Sequence, residues 1–83
     1  MLSNVKILYM ATTGASDPTR ASIPLHLAVN GSIEVRHTVG VILAGDGTEL
    51  LNTSLRQAAE GIGIPPVREL MAKARDHEVP IYV

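Results

Sequence analysis

Two apolar runs joined by one amphipathic stretch constrain this chain more than any other feature. Val5-Lys6-Ile7-Leu8-Tyr9-Met10-Ala11 and Thr38-Val39-Gly40-Val41-Ile42-Leu43-Ala44 are apolar at nearly every position, with Lys6 the one charged interruption. A strand with one wet face alternates apolar and polar residues. A run that does not alternate is buried on both faces, and such strands belong to parallel sheets. Parallel neighbours need a long crossover, and the intervening residues supply one. Asp17-Pro18 starts a helix, because Asp accepts bonds from free backbone N–H groups and Pro at the first helical position loses nothing. Ala21, Leu25, Ala28, Val29 and Ile33 then form one apolar stripe. Pro24 interrupts it and should kink the helix or delay its start to Ser22. Asn30-Gly31 is a stop signal, but Ile33 continues the stripe, so the helix is expected to reach about Glu34. Strand, helix and strand make a βαβ unit with a right-handed crossover.

The second half is less regular. Glu49-Leu50-Leu51 reads as a short helical turn and Ser54 to Glu60 as another. Gly61-Ile62-Gly63-Ile64-Pro65-Pro66 is a connector. Val67, Leu70, Met71 and Ala74 fall at i, i+3, i+4 and i+7, the clearest helical pattern in the chain. Glu69 near its start and Lys73, Arg75 and His77 near its end suit the macrodipole. Val79-Pro80-Ile81-Tyr82-Val83 is a third apolar strand, with Pro80 tolerable only at its beginning. The expected fold class is α/β: a three-layer sandwich with helices on both faces of a parallel sheet, three strands visible in spatial order 2-1-3. All 83 residues make a single domain. The last residue lies inside an apolar strand at a sheet edge, so the domain is expected either to be C-terminally incomplete or to have that edge covered by a partner subunit.

Composition narrows the function classes. There is no cysteine, so disulfides, thiolate chemistry and Cys-based zinc sites are excluded for these residues. A net charge of −1 with only two aromatic residues, both Tyr, argues against nucleic acid, which needs a basic excess and stacking rings. No apolar run approaches a membrane span, and no secretory signal pattern opens the chain, so a cytoplasmic protein is expected.

Four segments carry a resemblance. They are the first strand running into Ala11-Thr12-Thr13-Gly14, the helix start Asp17-Pro18-Thr19-Arg20-Ala21, the strand end Leu43-Ala44-Gly45-Asp46-Gly47, and Gly63-Ile64-Pro65-Pro66-Val67 with its helix and final strand. In order and spacing the chain resembles the DsrE/DsrF-like family of small sulfur-relay proteins. The resemblance implies a Rossmann-like domain, homo-oligomers that are often trimers or hexamers, and persulfide transfer between cysteines of sulfur-relay protein partners. The chain departs from that pattern. Relatives of this type commonly carry a cysteine-containing segment after the strand that ends here at Val83, and sulfur transfer needs a thiolate. Arg36 and Glu78 stand where such relatives tend to have Gly before a strand. Two functions are therefore expected as alternatives: a sulfur-relay or related small-molecule role in an oligomer, or a cysteine-free, non-catalytic binding or structural subunit.

The candidate ligand-binding residues lie at the carboxyl ends of the strands, where open parallel sheets bind ligands if strand order reverses there. Thr12, Thr13, Gly14, Ser16, Asp17, Thr19 and Arg20 form a loop of small residues whose backbone N–H groups, helix N-terminus and Arg20 guanidinium suit an anion. The bland reading is a capped turn, with Asp17 on the helix and Arg20 in solvent, and Asp17 brings negative charge to the same mouth. Asp46, between Gly45 and Gly47, ends the second strand at this rim. With Asp17 it makes a weaker candidate for a hard cation, against a plain turn followed by a helix cap. His26, His37 and His77 do not cluster in sequence and read as structural. Gly61-x-Gly63 follows no strand and lacks the third glycine of a dinucleotide fingerprint. The sequence points to no catalytic residue, resident metal or cofactor.

Overall fold

The two apolar runs pair side by side in the computed structural model, which describes residues 6–83. Strand β1 is Lys6–Ala11 and β2 is Thr38–Leu43, parallel and in unbroken register from Lys6 opposite Thr38 to Ala11 opposite Leu43. Val5, expected to open β1, lies outside the described residues. Helix α1, Pro18–His26, starts at the Pro without delay, and the Asp17 side chain accepts the Arg20 N–H at 3.2 Å. Pro24 sits inside it and has no N–H to offer the carbonyl four residues before. The helix nevertheless runs on through Leu27–Ser32 as a wider π-type turn, in which Ile33 N–H reaches the Ala28 carbonyl at 3.3 Å. It thus ends within two residues of the expected Glu34. After β2 come a 3₁₀ segment at Gly45–Leu51, helix α2 at Thr53–Ala58, helix α3 at Val67–Asp76 and the two-residue strand β3, Ile81–Tyr82.

The class is α/β with a parallel three-stranded sheet, as expected, but the strand order is β1-β2-β3 rather than 2-1-3. Burial accounts for the difference. Val39, Val41 and Leu43 of β2 are buried on the helix side and Gly40 on the other, while β1 carries Lys6 on its outward face, a charge that blunts an edge strand. The order also decides the layers. Two crossovers of the same hand that step in the same direction lay their helices on the same face of the sheet. Here α1 and α3 do pack together: Leu25, Ala28, Val29, Val67, Leu70 and Ala74 join Val39, Val41 and Leu43 in one core. The second helical layer of the expected sandwich is absent among the described residues. Leu8 and Met10 are 62% and 58% exposed on the face that layer would cover, and Tyr82 is 52% exposed beside them.

Polar bonds tie the covered face together. The Tyr9 and Ser32 hydroxyls lie 2.7 Å apart, with Ser32 buried in the π-type turn. Asn30 of the same turn donates to His26 Nδ1 at 2.9 Å and accepts from Lys73 of α3. Removing one partner of a buried hydrogen bond costs more than the bond contributes, because the other is left unsatisfied. Tyr9→Phe is therefore expected to destabilise by about 1–2 kcal/mol in urea denaturation. Adding Ser32→Ala should recover part of that loss.

Both helices that feed a strand end in the same device. His37 N–H bonds the Ser32 carbonyl and Arg36 N–H the Ile33 carbonyl; Val79 N–H bonds Ala74 and Glu78 N–H bonds Arg75. These are paired Schellman bonds, and the residue between helix and strand must be left-handed. Arg36 (φ 62°) and Glu78 (φ 56°) hold that conformation without being Gly. A left-handed non-Gly residue is strained by about 1 kcal/mol or more, partly offset by glycine's larger unfolded-state entropy. Arg36→Gly and Glu78→Gly should each raise stability by about 0.5 kcal/mol, read from the urea midpoint at unchanged m-value.

Candidate functional site at the strand ends

The rim beyond β1 and β2 is closed by the chain itself. Ala44 N–H bonds the Ala11 carbonyl at 3.0 Å, and the 3₁₀ segment then folds back over the end of β1. Gly47 lies so close that a Cβ on it would come within 2.0 Å of the Ala11 carbonyl oxygen. A Cβ on Gly14 would meet the Glu49 carboxylate at 2.0 Å and the Asp46 carbonyl oxygen at 2.4 Å. From the other side the 61–64 connector closes on the start of α1, where Ile62 N–H donates to Thr19 Oγ1 at 2.9 Å.

Each expected site residue can be placed in this frame. Asp17 caps α1, and its second oxygen stands 3.7 Å from Arg20 Nε in an exposed ion pair. Thr12 is exposed, Thr13 half-buried and Gly14 buried against the 3₁₀ segment. Asp46 is exposed in the first turn of that segment, and its backbone rather than its carboxylate faces Gly14. The loop does offer a backbone N–H to an anion, but the anion is internal: Ala15 N–H donates to Glu49 Oε1 at 3.0 Å. Sequence reasoning placed Glu49 in a short helical turn and gave it no part in the site. Only the fold-back of the 3₁₀ segment brings it to the loop. Strand order does not reverse among the described strands either, and that reversal was the ground for expecting a ligand here. A phosphate or sulfate ion at this loop must displace Glu49. In Glu49→Gln the neutral amide is the weaker acceptor. Inorganic phosphate is therefore expected to shift the Ala15 amide NMR resonance in Glu49→Gln at concentrations that leave it unmoved in the wild type. Arg20→Ala should remove the response.

Three cavities stand out among the described residues, and no residue of the strand-end rim lines any of them. One, of about 500 Å³, lies on the bare sheet face, where Leu8 and Tyr82 lean over Gly40. A second, of about 230 Å³, brings His37 and His77 together with Glu78 below the starts of β2 and β3. The sequence left these two histidines apart. No group of three or more His, Cys, Asp or Glu side chains able to hold a metal forms among the described residues. The third, of about 330 Å³, lies between α2, α3 and β3 and is rimmed by arginines. No described helix is long and apolar enough to cross a membrane.

Comparison with known proteins yields one family. No curated protein and no solved structure matches the chain. The model of the DsrE/DsrF-like family matches residues 5–83, a span that takes in the parallel pair, the closed rim, α3 and the last strand, so the chain belongs to the DsrE/DsrF-like family.

Proposed function

We propose that this protein serves a sulfur-relay or related small-molecule system as a subunit of a homo-oligomer, supplying a docking and structural surface rather than the reactive sulfur. Family membership supports the sulfur-relay setting. These 83 residues hold no thiol to carry a persulfide, so the part they themselves play in this reading is docking and structure. Sulfur-relay proteins that do carry a cysteine are the partners this reading implies, in the cytoplasm. The observation that carries the oligomer is the bare sheet face. Leu8, Met10 and Tyr82 are half-exposed or more on it, with Lys6 the one charge nearby. A domain of this size buries only about 60–65% of its unfolded surface alone. A second copy of the same face fits it best, because two nearly uncharged apolar surfaces meet without like-charge repulsion. A hexamer that contains such two-fold pairs satisfies it as well as a dimer. Sedimentation equilibrium of the full chain at tens of micromolar should show a stable multimer. A well-folded monomer across that range overturns the proposal, and binding of a different protein to this face in place of a second copy does so too.

A further inference from the structure

We propose that the arginine-rimmed cleft between α2, α3 and β3 binds a small phosphate monoester with an apolar body. The cleft lies in the helical layer, on the opposite side of the sheet from the bare face, so it does not depend on the assembly reading. Three arginines line it: Arg56 from α2, and Arg68 and Arg75 from α3. Arg68, Ala72 and Arg75 stand at i, i+4 and i+7, so both α3 arginines share one helical stripe. Apolar residues, Met71, Val79 and Ile81, form its floor. The arginines are anchored without being used up. Arg56 Nη1 donates to the Leu50 carbonyl at 3.4 Å, and Arg68 Nη1 donates to the Gln57 carbonyl at 3.2 Å and to Glu60 at 3.0 Å. Arg75 Nε lies 3.5 Å from Asp76 in an exposed pair. A guanidinium has five N–H donors, so each keeps donors for a ligand.

The chemistry of the walls selects the ligand. Three of the chain's seven basic residues gather at one cleft of a protein whose net charge is −1. Two acids, Glu60 and Asp76, contact these arginines, but neither lines the cleft. Three arginines offer more donors than the two oxygens of a carboxylate take up, and the planar forks of Arg match phosphate oxygens. The apolar floor asks for a hydrocarbon or ring beside the charge, and about 330 Å³ is the lower end of small-molecule pockets. Nucleic acid fits poorly, because no aromatic ring lines the cleft for a base to stack on.

Phenyl phosphate is the probe, titrated into the full chain and followed by calorimetry and backbone-amide NMR. Saturable binding is expected, with shifts centred on Arg68 to Arg75 and Val79 to Ile81. Phenol should not bind, and inorganic phosphate should bind at least fivefold more weakly, since each lacks one half of the match. Arg56→Gln and Arg68→Gln should each weaken binding about tenfold or more. Ala72→Glu keeps every arginine but puts a carboxylate at the mouth, and should abolish binding. Arg36→Gln, which removes an exposed basic residue that lines none of the three cavities, should leave it unchanged. The proposal is overturned by shifts confined to the Thr12–Arg20 loop or the bare sheet face. It is also overturned by unchanged affinity in folded Arg56→Gln and Ala72→Glu proteins, by a single-stranded oligonucleotide outcompeting phenyl phosphate, or by no saturation up to about 10 mM.

Discussion

Gly47→Ala is expected to cost about 3 kcal/mol or more, a large share of the stability of an 83-residue domain, which on average figures is roughly 4–12 kcal/mol in all. The added methyl would sit 2.0 Å from the Ala11 carbonyl oxygen and 2.8 Å from its carbonyl carbon. Both are backbone atoms at the end of a paired strand, so neither can rotate away as a side chain would. That same oxygen accepts the Ala44 N–H that joins β1 to the end of β2. Relief therefore requires lifting the 3₁₀ segment off the sheet, and Leu50, fully buried in that segment, leaves the core with it. Gly14→Ala meets a similar wall, though one of its two close contacts is the flexible end of Glu49, so its cost should be smaller. The measurement is the urea midpoint of each variant, with far-UV circular dichroism to report the fold. A Gly47→Ala protein within about 0.5 kcal/mol of wild type would mean that the rim is not packed as described.

What the sequence revealed and what it hid divide along one physical line. The elements were legible because their signals are local: apolar runs without alternation at β1 and β2, the Asp17-Pro18 helix start, and the i, i+3, i+4, i+7 stripe of α3. Arg36 and Glu78 stood out only against the family pattern, which tends to have Gly there, and both prove to be left-handed helix caps. Strand order was not legible, because Val39 or Ile7 reads alike in a central or an edge strand. Lys6 was the available clue, since a charge within an apolar strand suits an edge. From the wrong order followed the third layer and the strand-order reversal that favoured the rim. Glu49 was hidden for another reason: its contact with Ala15 spans 34 residues of sequence and exists only once the 3₁₀ segment has folded back. The arginine cleft was hidden likewise. Arg75 alone reads as a macrodipole partner, and Arg56 joins it only through the packing of α2 on α3.

The bare sheet face carries the largest effect on assembly. Leu8→Lys combined with Met10→Lys is expected to turn the multimer into a monomer, weakening association by a factor of about 100 or more. Lys6, Leu8 and Met10 alternate with the inward Ile7, Tyr9 and Ala11, so both substitutions fall on the uncovered side of an edge strand. In the isolated subunit these side chains already meet water, and replacing them disturbs no core contact. In the multimer each copy would bury two ammonium groups against an apolar surface, where no acid waits to pair with them. The loss therefore combines forfeited apolar burial, roughly 1 kcal/mol for each half-exposed side chain, with the cost of dehydrating the new charges. Melting temperature measured at very low protein concentration should be nearly unchanged, whereas at high concentration only the wild type should gain stability, because assembly stabilises by mass action. Ile62→Lys is the control: Ile62 is 89% exposed in the connector, away from the sheet, and its substitution should leave the assembly intact. If the double variant stays multimeric, association runs through another surface, and the apolar face must be explained by something other than a second copy of this chain.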